Sequence, residues 1–162
     1  MAHGYSMLGF IVILILYAVI GLLAAAGSML TVPRLLGSRS EQIFYAVALI
    51  MVAGFYLAFT AYFGVATAWR IETPAVVVFV AISLLGMRLP FALIAGYALH
   101  GSWDLLHELH AHGSSAFAPG QLTAIPLAYG VFCAVFDFAM AAYFYKQRHS
   151  WSAERKATLP GD

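Results

Sequence analysis

Charged residues are scarce in this sequence: Asp, Glu, Lys and Arg make up 9% of its 162 residues, whereas 63% are hydrophobic. A soluble domain typically carries about 25% charged residues, so the composition excludes an ordinary soluble protein. Apolar runs of about eighteen residues or more recur along the chain, and each is long enough to span the hydrocarbon core of a bilayer. The chain is therefore predicted to be a polytopic membrane protein.

Several chemistries are excluded by what the sequence lacks. Cys133 is the single cysteine, so no intrachain disulfide can form. The two lysines are the last residue of the fifth predicted helix, Lys146, and a tail residue, Lys156, which leaves none within the membrane for a retinal Schiff base. The sequence contains no nucleophile elbow, no P-loop, no HExxH motif and no histidine pair spaced on two helices for a bis-histidine haem. No basic stripe with interleaved aromatics appears, so nucleic acid is not an expected partner.

Hydrophobic periodicity and turn residues predict an all-α bundle of about five spans. The expected helices are 7–31, 42–69, 73–87, 90–112 and 124–146. The first apolar run is longer than the core of a usual signal peptide and is expected to be a retained span. It carries Gly21, Ala25 and Ser28 on one face, which is typical of close helix packing in membranes. Because Pro90 fits the first turn of a helix, residues 73–112 are expected to form two helices, with one kinked helix as the alternative.

The distribution of Lys and Arg predicts the orientation. The 31–41 loop carries two, the 88–89 connection one and residues 146–162 four, against Arg70 alone on the other side. Cytoplasmic loops carry the excess of positive charge, so the N-terminus is expected outside and the C-terminus inside. The domain organisation is accordingly one transmembrane bundle, 1–146, followed by a polar cytoplasmic tail, 147–162.

One stretch of the fourth predicted helix holds most of the residues that could carry chemistry. At 100° per residue, His100, Asp104 and His107 lie on one narrow stripe. Ionisable groups at membrane depth are costly and usually face a bundle interior, which marks this stripe as a site. Asp137 of the fifth helix and His100 both lie ~15–18 Å from the outer ends of their helices, so these two are expected to meet. The predicted catalytic set is therefore His100, Asp104, His107 and Asp137.

Binding a divalent metal ion is one function that these side chains could have. Imidazole and carboxylate are ordinary ligands of zinc or iron. His100 and His107 lie ~10 Å apart along the axis of a straight helix, so both cannot bind one ion. His100 with Asp104, or Asp104 with His107, can do so, and Asp137 or a residue of another helix would complete the site. The predicted metal ligands are therefore drawn from His100, Asp104 and His107.

Acid–base chemistry on an apolar substrate is a second use. Asp104 or Asp137 would act as the general acid, with a histidine orienting the group or receiving the proton. The residues expected to line the substrate pocket are aromatic: Trp103, Tyr97, Tyr129, Tyr56 and Tyr62. The favoured function is thus an integral-membrane enzyme acting on a lipid or isoprenoid-like substrate, by acid–base cyclisation or isomerisation or by metal-assisted chemistry.

Two further functions are left open by the sequence. The same ionisable residues could form a relay in a small proton, cation or solute transporter. Alternatively, the His–Asp pairs lock the helices of a structural or accessory subunit, each worth about a kcal/mol. The expected partners are the lipid bilayer and an apolar small molecule. Because bundles this small often assemble into dimers or trimers, a homo-oligomer is expected as well.

The segment HGSWDLLH, from His100 to His107, resembles a pattern of small multi-pass bacterial membrane proteins of uncharacterised function. Those proteins carry a His-x-x-Trp-Asp-x-x-His helix, usually followed directly by a second histidine, and a final helix with Cys-x-x-x-Asp. Here the final motif reads CAVFD, and Glu108 stands where the adjacent histidine is usual. The resemblance covers about forty residues near the C-terminus. It implies a bacterial inner-membrane location and implies no activity. It also implies that the following residues belong together: His100, Trp103, Asp104, His107 and Asp137.

Overall fold

The computed structural model describes residues 7–111 and 117–158, with side chains as far as residue 153. These residues form five α-helices, and no strand occurs among them. The helices are α1 (Met7–Leu35), α2 (Ser38–Phe63), α3 (Trp69–Gly86), α4 (Pro90–Ala111) and α5 (Leu127–Thr158). The prediction of an all-α fold is confirmed.

Four of the helices are long and apolar enough to cross a membrane: α1, α2, α3 and α5 as far as Ala153. They carry large apolar side chains on exposed faces, among them Leu23 and Met51. Such faces are expected where helices contact lipid tails. The remaining helix, α4, is less apolar because it carries the histidines together with Asp104 and Glu108. It packs most extensively against α5 and also contacts α3 and α2, so its polar stripe faces other helices.

The breaks around α3 are set by the local backbone. The second helix ends at Phe63 rather than at residue 69, because Gly64 adopts a left-handed conformation with φ 66°. The N–H of Gly64 then bonds the carbonyl of Thr60, which is the usual glycine end of a helix. Residues 87–89 separate α3 from α4, so this region forms two helices rather than one kinked helix.

The last helix extends well past its predicted end at residue 146. Residues 147–158, expected in the polar tail, continue α5 as helix. Trp151 anchors this extension, since it is 3% exposed and its Nε1–H donates to Glu41 Oε2 of α2 at 3.1 Å. The other oxygen of that carboxylate accepts from the hydroxyl of Tyr143 at 2.7 Å. A buried glutamate near the start of α2 therefore fixes the C-terminal part of α5.

Close packing of small residues brings the helices together. A Cβ atom at Gly21 would lie 2.7 Å from the carbonyl oxygen of Phe132, so α1 and α5 touch through their backbones. This bears out the predicted packing role of the small-residue face of α1. The apolar core fills the half of the bundle formed by the first half of α2, the first turns of α4 and the second half of α5. Its largest buried members are Tyr45, Leu49, Leu93, Tyr97, Met140 and Phe144.

Candidate functional site

His100, Asp104 and Asp137 lie together where α4 packs on α5, and we call this group the central site. All three side chains are buried. His100 Nδ1 is hydrogen-bonded to Asp137 Oδ2 at 2.7 Å and lies 3.3 Å from Asp104 Oδ2. Gly101 makes this approach feasible, because a Cβ there would lie 3.2 Å from the carbonyl oxygen of Ala134. The predicted meeting of His100 and Asp137 is confirmed.

Tyr56 of α2 holds the second carboxylate of the central site. Its hydroxyl donates a hydrogen bond to Asp104 Oδ1. Its fully buried ring packs against the imidazoles of His100 and His107, with centroid separations of 5.6 and 4.7 Å. Asp104 Oδ2 lies within ion-pair distance of His100 but has no hydrogen-bond partner in the described part of the chain. One oxygen of Asp104 is thus fixed, and the other is available to a ligand.

His107, the remaining member of the predicted catalytic set, lies apart from the central site. Its Nε2 is 2.8 Å from Glu72 Oε1, and its Nδ1 donates to the backbone carbonyl of Trp103 at 2.9 Å. Both ring nitrogens are therefore engaged. Among residues 7–111 and 117–158, no hydrogen bond joins His107 to Asp104, and the ring of Tyr56 packs against both histidines instead.

Glu72 is the polar residue that the sequence-based prediction missed. The predicted helices left it in a short loop, whereas the structure places it fully buried in the first turn of α3. The signal was available, because Glu72, Phe79, Ser83 and Gly86 recur at helical spacing and are all buried. Starting the third helix a few residues earlier would have placed the glutamate on this inward face.

The aromatics predicted to bind substrate are spread over the bundle. Tyr56 contacts the central site, and Trp103 packs against the ring of His107 with a centroid separation of 5.3 Å. The hydroxyls of Tyr97 and Tyr129 donate to backbone carbonyls of α2, at 2.9 and 3.3 Å. Tyr62, by contrast, is 82% exposed near the end of α2. The structure therefore brings some of this set to the site and leaves Tyr62 on the surface.

An apolar groove reaches the central site from the side of α1, α2 and α5. Asp137 forms part of its wall, so we call it the Asp137 groove; its volume is about 220 Å³. Other residues of its wall are Tyr45, Val52, Tyr97, Phe132 and Phe136. Apart from Asp137 the wall is dominated by aromatic and aliphatic side chains, as in sites for apolar ligands.

The buried charges do not balance. Three carboxylates, Asp104, Asp137 and Glu72, are buried beside two imidazoles, His100 and His107. Even with both imidazoles protonated, three negative and two positive charges leave a net charge of −1. No lysine or arginine is buried in the part of the chain that the structure describes. Because an uncompensated charge is costly in a low-dielectric interior, the buried set needs a further proton or a bound cation.

The central site has a donor set that could hold a metal ion. One ligand atom from each of its three residues lies within 4.8 Å of the others. In a tetrahedral zinc site with bonds of ~2.0–2.1 Å, neighbouring ligand atoms lie ~3.3 Å apart, which matches the 3.3 Å from His100 Nδ1 to Asp104 Oδ2. The 2.7 Å from His100 Nδ1 to Asp137 Oδ2 is a hydrogen-bond distance, so a bound ion would move these two atoms apart. Asp137 completes this group, whereas the predicted ligand His107 stands outside it. Three protein ligands leave one coordination position open.

Comparison with known proteins gives a family and no activity. The model of a family of unknown function, DUF6010, matches residues 14–150. The matched span contains the whole central site together with His107 and Glu72. No curated protein and no solved structure matches the chain. The match agrees with the expected membership of an uncharacterised family. It does not test the two short motifs of the resemblance, His-x-x-Trp-Asp-x-x-His and Cys-x-x-x-Asp.

Proposed function

This chain belongs to the DUF6010 family, and we propose that it is an integral-membrane enzyme using a divalent metal at the central site to act on a lipid or isoprenoid-like substrate. One observation carries the proposal: Asp137 belongs to the ligand group and also forms part of the wall of the Asp137 groove. A substrate chain in that groove would bring its reacting group next to Asp137. Zinc or iron suits a set of one imidazole and two carboxylates.

The charge of the central site is compatible with a divalent metal. With His100 neutral and both aspartates ionised, the central site carries −2, which a divalent cation neutralises. The metal would polarise an oxygen of the substrate or activate a water molecule. Tyr56 would then be a positioning residue, because its hydrogen bond fixes the non-ligating oxygen of Asp104.

The membrane arrangement is part of the same proposal. We place α4 across the membrane as a fifth span, with its polar stripe shielded from lipid by α2, α3 and α5, the N-terminus outside and the C-terminus inside. Support comes from the burial of its polar stripe and from the excess of Lys and Arg at the end of the bundle where α5 finishes. The proposed location is the inner membrane of a bacterium.

A lipid-conversion assay tests the enzymatic role. The protein in nanodiscs would be incubated with a bacterial lipid extract, with added zinc or ferrous iron, and the lipids compared by untargeted mass spectrometry. Wild-type protein should generate new masses that Asp137→Asn does not. Glu41→Gln is the matched control, because Glu41 is also a buried carboxylate but lies outside the central site. Identical lipid profiles for wild type and Asp137→Asn would overturn the proposal.

Transport is the second candidate, because two groups of ionisable side chains lie one after the other along α4: the Glu72–His107 pair and the central site. Ion flux in liposomes that Asp104→Asn abolishes would favour it. A proton path needs a continuous chain of hydrogen bonds, however, and the described residues show a break between His107 and Asp104 at the ring of Tyr56. A stable fold with no metal, turnover or flux would instead indicate a structural subunit, with His100 and Asp137 as its helix lock.

A further inference from the structure

A second cavity lies at the end of the bundle where α4 finishes and α5 begins, well apart from the Asp137 groove. We call it the His107 cavity. Its volume is about 410 Å³, and its wall includes His107, Phe117 and Thr123. The proposed metal site does not use this cavity, and its wall contains no lysine or arginine among the described residues.

The polar atoms at this cavity are only partly satisfied. Glu72 Oε1 accepts from the backbone N–H of Thr123 at 2.8 Å and contacts His107 Nε2 at 2.8 Å. Glu72 Oε2 and Thr123 Oγ1, both from almost fully buried side chains, have no hydrogen-bond partner within the described residues. Thr123 forms part of the cavity wall, and Glu72 contacts both Thr123 and His107 of that wall. Buried oxygens of this kind are normally paired, so two unpaired ones in this group point to a bound polar group.

Hydrogen bonding sets the total charge of the Glu72–His107 pair. A backbone carbonyl only accepts, so His107 Nδ1 carries a proton where it meets the carbonyl of Trp103. The 2.8 Å contact between His107 Nε2 and Glu72 Oε1 needs one more proton between the two atoms. Whichever atom carries that proton, the pair is neutral overall. A bound cation or anion would therefore bring an uncompensated charge, whereas a neutral group would not.

An alcohol matches these atoms. Its hydroxyl can donate to Glu72 Oε2 and accept from Thr123 Oγ1–H, which satisfies both oxygens with one group. A phosphate, by contrast, would lie near the Glu72 carboxylate, and the described wall of the cavity offers it His107 and His110 but no lysine or arginine.

An apolar groove that could take a hydrocarbon chain is linked to the cavity through one side chain, Trp103. The groove lies between α3 and α4, has a volume of about 370 Å³ and is lined by Pro74, Val78, Phe79, Leu99 and Trp103, among others; we call it the Trp103 groove. The indole of Trp103 also packs against two rings of the His107 cavity, those of His107 at 5.3 Å and Phe117 at 6.4 Å. Trp103 therefore lines the apolar groove and contacts two residues that line the polar cavity.

We infer that these two spaces together bind one neutral long-chain alcohol, with its hydroxyl on Glu72 and Thr123 and its chain along the Trp103 groove. The hydroxyl of the alcohol would meet the unpaired oxygens at one end, and its hydrocarbon chain would meet the apolar side chains of the groove at the other. The inference does not depend on the metal or on turnover, so it can fail or succeed independently of the proposed enzyme.

Tryptophan quenching tests the inference. A long-chain alcohol brominated along its chain would be titrated into nanodiscs holding the Trp69→Phe protein, whose remaining tryptophans are Trp103 and the distant Trp151. Saturable quenching is expected, because bromine in the groove contacts the indole of Trp103. Thr123→Val should weaken the apparent affinity about tenfold through the lost hydrogen bond. Thr60→Val is the matched control, because the buried hydroxyl of Thr60 donates a hydrogen bond to the carbonyl of Tyr56; this change should leave the apparent affinity unaltered.

Two comparisons keep the result decisive even if Thr123→Val fails to fold. The phosphate ester and the primary amine of the same brominated chain should each bind the Trp69→Phe protein at least tenfold more weakly than the alcohol. Equal binding of all three headgroups would overturn the inference, as would quenching that rises linearly like that of surrounding lipid. An unchanged affinity in folded Thr123→Val would also overturn it.

Discussion

Replacing Tyr56 with phenylalanine removes one hydroxyl from the central site and leaves the buried ring in place. The lost group donates the hydrogen bond to Asp104 Oδ1. Outer hydrogen-bond partners of metal ligands typically contribute 10–100-fold to metal affinity. Tyr56→Phe should therefore weaken metal binding by about 10–100-fold, or about 1.4–2.8 kcal/mol. The ring contacts with both histidines should persist, so the fold should survive.

Tyr97→Phe is the matched control for this change. Tyr97 is equally buried, and its hydroxyl also makes one hydrogen bond, but to the backbone carbonyl of Tyr45 in the apolar core. Its loss should lower the free energy of unfolding by about 1 kcal/mol and leave metal affinity unchanged. Competition with a chromophoric chelator in detergent measures the affinities, and thermal unfolding without metal measures the stabilities. If both variants bound metal as tightly as wild type, Tyr56 would have no part in a metal centre.

Other consequences of the packing can be measured by unfolding and proteolysis. Gly21→Ala should destabilise the protein by about 1–3 kcal/mol, because the new Cβ would lie 2.7 Å from the carbonyl oxygen of Phe132. Gly27→Ala in the same helix has open space around it and should be neutral or stabilising, so equal loss in both variants would refute the α1–α5 contact. Trp151→Phe removes the hydrogen bond to Glu41, at a cost of about 1.5–3 kcal/mol. The C-terminal part of α5 should then be cleaved faster by protease, and unchanged cleavage would show that this bond does not hold it.

The sequence predicts the helices well because spans must be apolar and about twenty residues long. It also predicts the contact between His100 and Asp137, since equal depth on antiparallel neighbouring helices brings two residues to the same level. A histidine seven residues further along the same stripe, His107, faces the interior too but meets α3 instead. The spacing of residues along a helix therefore predicts which face is buried. It does not predict which residue of a neighbouring helix each buried side chain contacts.

Residues at the helix ends were the hardest to place from sequence. Glu72 is polar and lies two residues before Pro74, so it looks like a loop residue, yet His107 and the Thr123 backbone bind one oxygen of its carboxylate inside the bundle. The polar composition after residue 146 likewise indicates a tail. That segment is helical because Trp151 finds a buried acceptor on Glu41, more than one hundred residues earlier in the chain. Both outcomes depend on tertiary partners that local composition does not reveal.

Elemental analysis of the purified protein tests the metal centre most directly, with His100→Ala and His107→Ala measured beside wild type. The two histidines are both buried on α4, but only His100 belongs to the ligand group. The account predicts about one equivalent of zinc or iron in wild type and in His107→Ala, and none in His100→Ala. Metal retained in His100→Ala, or absent from wild type purified without chelators, would contradict a metal centre built on His100, Asp104 and Asp137.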